Sequence, residues 1–187
     1  MALTFHGAGD PALLTRLLAD VKAARARVTV LAIGRWLASQ PDLARQILDG
    51  GHDLGNHTWS HQTMPRLDAG QVRTEIERAA AELHRVTGTI GSWFRPSGTP
   101  HSTPLIRAAA VRVGYGACLA YDLDPLDYTD PGSAAIVRRV ASQVRPGSIV
   151  SLHLGHPETI AAMPDILRVL DQRGLAPVTA SELLGLA

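Results

Sequence analysis

Two histidines stand four residues apart in the run Asn56-His57-Thr58-Trp59-Ser60-His61. If that run forms a helical turn or a tight loop, both imidazoles point at one divalent ion. Neutral imidazole suits zinc, and cobalt or nickel also fit. The zinc-protease pattern needs a glutamate after the first histidine, and Thr58 stands there instead. Taken alone, such a pair is more often two solvated loop histidines than a ligand pair, so the residues around it decide. His153 closes the apolar run Ser148-Ile149-Val150-Ser151-Leu152, where an imidazole is suited to general acid or base work. Asp127, in Asp124-Pro125-Leu126-Asp127-Tyr128, is placed to hydrogen-bond one nitrogen of that ring and fix its tautomer. Arg95 follows Trp93-Phe94 and precedes Pro96, a setting in which a structural ion pair is the commoner role. The first loop, His6-Gly7-Ala8-Gly9-Asp10, adds one imidazole and one carboxylate.

The first loop also invites a different reading. Gly7-Ala8-Gly9-Asp10-Pro11-Ala12 fits the G-x-G-x-x-A dinucleotide fingerprint. The second strand, however, ends in Ile33-Gly34-Arg35-Trp36 without the required acidic residue, and Asp10 with Pro11 would crowd and repel a pyrophosphate. Neither a G-x-S-x-G elbow nor a P-loop occurs.

Short apolar runs alternate with segments of helical period, the pattern of an α/β fold with a mostly parallel sheet. The expected strands are 2–5, 28–33, 52–56, 93–94, 116–121, 148–152 and 177–179. The expected helices are 11–24 with Asp10 as N-cap, 42–48, 68–86, 103–113, 131–144 and 159–172, followed by a short turn capped by Ser181. In folds of this kind, sites form at the carboxyl ends of the strands. Five such ends carry His, Asp or Arg, more than chance placement accounts for.

At 187 residues the chain supports a single domain spanning 1–187 with a sizeable core. Eighteen basic against seventeen acidic residues, without blocks of one sign, give no electrostatic footprint for nucleic acid or an anionic membrane. The single Cys118 excludes an intrachain disulfide framework and a cysteine-rich zinc site. No apolar stretch is long enough to span a membrane. A chain that opens on its first core strand reads as an excised domain whose signal or anchor would lie upstream, so localisation stays open.

In this order, these residues resemble the polysaccharide deacetylases of the NodB-homology class, carbohydrate esterase family 4. Leu3-Thr4-Phe5 is similar to the start of the family's T-F-D-D-G motif, and 28–34 to the strand that follows it. His57-Thr58-Trp59-Ser60-His61 matches the H-[ST]-x-x-H motif. Phe94-Arg95-Pro96 resembles R-x-P, Asp124 to Tyr128 resembles D-x-x-D-W, and Leu152-His153 resembles the final L-H. The resemblance implies a distorted (β/α) barrel and a metal-dependent hydrolase that removes N- or O-acetyl groups from a carbohydrate or a related small acetylated substrate. It implies that His57 and His61 bind a divalent metal, that His153 is the general acid tuned by Asp127, and that Arg95 orients the base. The family's two first-motif aspartates fall on His6 and Gly7. Asp10, beyond a flexible Gly7-Ala8-Gly9 turn, is the expected third ligand, with His6 inheriting the base position. The reverse assignment leaves His6 as ligand and Asp10 as base or helix cap. A carbohydrate-binding pseudoenzyme on the same scaffold is the competing expectation.

Overall fold

Ala2–Gly7 forms β1, in which Ala2, Leu3 and Phe5 are fully enclosed. A strand so apolar on both faces belongs in the middle of a parallel sheet with helices on either side. A computed structural model, which describes residues 1–186, shows that arrangement. Thr29–Ala32 (β2), Asp53–Asn56 (β3) and Ile149–His153 (β4) join β1 in a parallel sheet of order β3-β2-β1-β4.

Single-residue parallel bridges carry the sheet past both edges. Asn56 pairs with Phe94 and Phe94 with Cys118 on one side, and Leu123 pairs with Val150 on the other. One segment, 118–123, therefore meets both edges, as closure of a distorted barrel requires. This explains a departure from the expected strand at 116–121. The chain must turn between its two partners, so only the bridge at Cys118 forms there.

Helices fill the crossovers. Pro11–Ala23 (α1) begins with Asp10 accepting from the Ala12 N–H and buries Leu14, Leu17 and Val21. Gly34–Ser39 (α2) was not expected; it is a short helix that buries Trp36 and Leu37. Asp42–Asp49 (α3) follows. Ala69–Thr87 (α4) starts in an Asp68–Gln71 capping box and stops at Gly88, whose φ of +80° suits glycine. Pro104–Val113 (α5), Ser133–Gln143 (α6) and Pro157–Gln172 (α7) complete the large helices. Ala180–Leu183 (α8) is capped by Thr179 through a box with Glu182, so Ser181 lies inside the helix rather than capping it.

Register does the positioning. Pairing of β1 with β4 sets His6 beside His153, and pairing of β2 with β3 sets Ala32 beside Asn56. The His57 N–H then donates to the Ala32 carbonyl, fixing the start of the histidine loop.

Candidate metal and proton-transfer site

His57 is fully buried, and its Nδ1 lies 2.9 Å from the Arg95 carbonyl oxygen. A carbonyl only accepts, so the proton sits on Nδ1 and Nε2 keeps its lone pair, the state a metal ligand needs. The Nε2 atoms of His57 and His61 are 3.1 Å apart. They meet because 57–61 is a tight loop and not a helical turn. Thr58 has φ +69° and His61 φ +60°. Left-handed backbone is costly at a β-branched residue, and such strain persists only where surrounding bonds hold it.

Those bonds are present. The Asn56 Oδ1 accepts from the Thr58 N–H, and the Thr58 hydroxyl accepts from the His61 N–H and meets the Ser97 hydroxyl. Glu75, buried on α4, accepts from both the N–H and the hydroxyl of Ser60 at 2.8 and 2.7 Å. Neither Asn56 nor Glu75 was singled out in the sequence as a support for this loop. Glu75 had left a signal, a lone charge in the buried stripe of Val72, Ile76 and Ala79.

His6 completes the cluster. One ligand nitrogen from each of His6, His57 and His61 lies within 4.8 Å of the others. The ring centroids of His6 are 4.0 Å from His57 and 4.3 Å from His153. The His6 Nδ1 is buried without a hydrogen-bond partner. Burial, and then the neighbouring His57, push the pKa of His6 well below its ordinary value; burial, and then His61, do the same to His57. Burial first, followed by His153, also lowers His61. Three neutral imidazoles with an orphaned nitrogen are a donor set that fits zinc, cobalt or nickel.

Asp10 is not brought to this cluster. It is exposed and caps α1 through the Ala12 N–H at 2.8 Å. The turn that was expected to swing it inward is held in place. Trp36 Nε1 donates to the Gly9 carbonyl, and a Cβ on Gly9 would lie 2.5 Å from the Gly155 Cα.

His153 and Asp127 meet as the sequence suggested, with Nδ1 to Oδ1 at 2.7 Å. The second oxygen of the fully buried Asp127 accepts from the His153 N–H and the Thr159 hydroxyl, each at 2.7 Å. With both its oxygens engaged, the carboxylate can hold the ring in one orientation. Arg95 is also fully buried, and burial lowers its pKa. Its guanidinium donates to the Leu119 and Ala120 carbonyls and to the Thr4 hydroxyl, and it forms no ion pair with a carboxylate among the described residues. A cleft of 730 Å³ opens over these groups, lined by His6, His61, His153, Tyr121, Tyr128 and the segment around Pro96–Pro100. Two aromatic rings, Tyr121 and Tyr128, line it, whereas Trp36 and Trp93 are buried in the core.

Both the sequence and the fold have known relatives. The sequence model of the polysaccharide deacetylase family matches residues 1–117. A peptidoglycan-N-acetylglucosamine deacetylase of Bacillus cereus is 30% identical over 98% of this chain and 87% of its own length. An uncharacterised protein of Bacillus subtilis is 24% identical over 91% of this chain, which spans only 53% of that relative. Among solved structures, the peptidoglycan deacetylase PdaC of Bacillus subtilis superposes with a TM-score of 0.90 at 25% identity, covering 99% of this chain and 89% of that one. A family 4 carbohydrate esterase pseudoenzyme from Bacillus anthracis shares the fold with a TM-score of 0.90 at 24% identity, covering 98% of this chain and 64% of its own. On the extent of these matches, the chain belongs to the polysaccharide deacetylase family.

Proposed function

We propose that this chain is a metal-dependent hydrolase that removes acetyl groups from an acetylated carbohydrate, with His6, His57 and His61 holding the ion. The observation that carries the proposal is the convergence of three imidazole nitrogens within 4.8 Å beside the His153–Asp127 pair, in one cleft. A bound divalent ion supplies Lewis-acid polarisation of an acyl oxygen and acidifies water. The chain's own residues supply the proton transfer. Asp127 holds Nδ1–H of His153, leaving Nε2 free to take a proton from the attacking water and to return it to the leaving nitrogen or oxygen. In this reading His6 is a ligand and not the base, and His153 serves both steps.

The substrate class rests on kinship with a protein named for peptidoglycan N-acetylglucosamine. One observation favours a second reading, a carbohydrate-binding protein without turnover. The three-histidine cluster contains no carboxylate to act as base, and Arg95 has none to orient. Elemental analysis and acetate release from N- and O-acetylated oligosaccharides separate the two. A hydrolase carries one ion per chain and releases acetate, and His153→Ala lowers turnover roughly 10²–10⁴-fold, the usual worth of a positioned proton donor. Bound metal with no acetate from any of these substrates supports the binding protein.

A further inference from the structure

The His153–Asp127 pair has an outer counterpart. His156 Nδ1 lies 2.8 Å from Asp130 Oδ1, and each pair joins residues 26 apart in sequence. Both arise from the same two turns. A 3₁₀ turn over Asp127–Thr129 places Asp127 and Asp130 three residues apart, and the turn after β4, closed by the His156 N–H on the His153 carbonyl, does so for the histidines. The two rings stand edge to face with centroids 5.9 Å apart. The inner carboxylate is fully buried, while the Asp130 side chain is 60% exposed.

Stability does not explain the outer pair. An exposed pair of this type contributes little to folding. His156 occupies the N-cap of α7, yet its side chain caps nothing, because Nδ1 is engaged by Asp130. Asp130 takes φ +50°, a left-handed conformation that carries a cost. The result is an imidazole of fixed direction on the cleft wall. With Nδ1–H donated to a carboxylate, Nε2 is left with a lone pair and nothing to accept from. Asp124 puts a second acceptor on the same cleft, and Tyr128, whose ring centroid lies 5.1 Å from that of His153, adds an aromatic face. Acceptors beside an aromatic surface match a ligand rich in O–H donors with apolar ring faces.

We propose that His156, oriented by Asp130, is a ligand-contacting residue whose Nε2 accepts a hydrogen bond from a sugar hydroxyl next to the group that His153 serves. This rests on the carbohydrate reading above. The test is calorimetric titration of the zinc-loaded protein with a soluble N-acetylglucosamine tetramer. His156→Ala weakens binding about five-fold, the worth of one net hydrogen bond, and His156→Gln recovers part of the loss. Asp130→Gly, which keeps the positive φ and frees the ring, weakens binding about two-fold. Zinc content and melting temperature stay at parental values in all three. A parent that binds the tetramer and a His156→Ala variant that binds it equally well overturn the assignment. So does an unchanged Kd combined with a kcat defect that added imidazole buffer repairs, which would make His156 a proton carrier. A parent that binds no tetramer overturns the carbohydrate reading itself.

Discussion

Asp10 and His6 compete for one role, and their surroundings separate them. The Asp10 carboxylate already satisfies a helix-terminal N–H, and its loop is held between Trp36 and Gly155. The His6 Nδ1, by contrast, is buried with no partner, a state that costs free energy unless something binds there. His6→Gln is therefore expected to abolish zinc uptake, as is His57→Ala, when stoichiometry is read by elemental analysis. Asp10→Ala should leave stoichiometry unchanged and cost about 1 kcal/mol in urea unfolding, the usual worth of an N-cap. Full zinc in the first pair, or loss of zinc in Asp10→Ala, reverses the assignment.

At the scale of elements, the first loop and α2 are built around each other. A Cβ on Gly7 would lie 3.0 Å from the Ala32 Cα and from the Trp36 Cζ3, and 3.1 Å from the Val30 Cγ1. The backbone of β2 cannot yield, and the bond to Gly9 pins Trp36. A carboxylate placed here by Gly7→Asp thus overpacks the strand, at a cost of about 1–3 kcal/mol. Trp36→Phe, which withdraws the benzo ring, should recover part of that loss, so a double-mutant cycle of unfolding free energies should be non-additive. Simple additivity would mean that the two positions do not meet. The histidine loop depends on α4 in the same way. Glu75→Ala releases Ser60 and is expected to weaken zinc about ten-fold in a competition titration, since supports behind a metal ligand carry effects of that size. Unaltered affinity would show that the loop holds its strained backbone without α4.

For the whole molecule, pH is the lever. His6, His57, His61 and His52 are all held below the ordinary histidine value of 6.5, in each case first by burial. His52 lies outside the three-histidine cluster, and its Nδ1 accepts from the Val28 N–H, a bond that needs the neutral ring. As pH falls through 6.5, the unfolded chain binds protons that the native chain refuses, so stability present above that pH is lost on the acid side. Urea midpoints of the metal-free protein should fall steadily between about pH 7.5 and 5. His52→Asn, whose amide oxygen replaces the accepting nitrogen, should flatten that slope. A variant slope equal to the parent's would remove His52 from the effect. If the three histidines hold zinc as proposed, the ion stabilises only the native chain and should raise the midpoint more at the neutral end than at the acid end.

The α/β class, most of the helices and the identity of the chemistry-bearing strand ends were legible in the amino-acid order. Those features rest on local causes: apolar runs, N-caps such as Asp10 and Asp68, and glycine stops such as Gly88 and Gly114. The sequence also named His57, His61, His153 and Asp127, and the structure gathers them at one end of the sheet because register in a parallel sheet aligns the strand ends. The contest between His6 and Asp10 was decided only in three dimensions, where loop conformation depends on Trp36 and Gly155, neither adjacent in sequence. The supports of the histidine loop, Asn56 and Glu75, and the outer His156–Asp130 pair were likewise hidden. Each acts by hydrogen bonds between separate elements or turns, and no local pattern encodes which side chains will meet there. The strand expected at 116–121 failed to form for the same reason. The segment 118–123 bridges to both sides of the sheet, a constraint that exists only once the sheet has assembled.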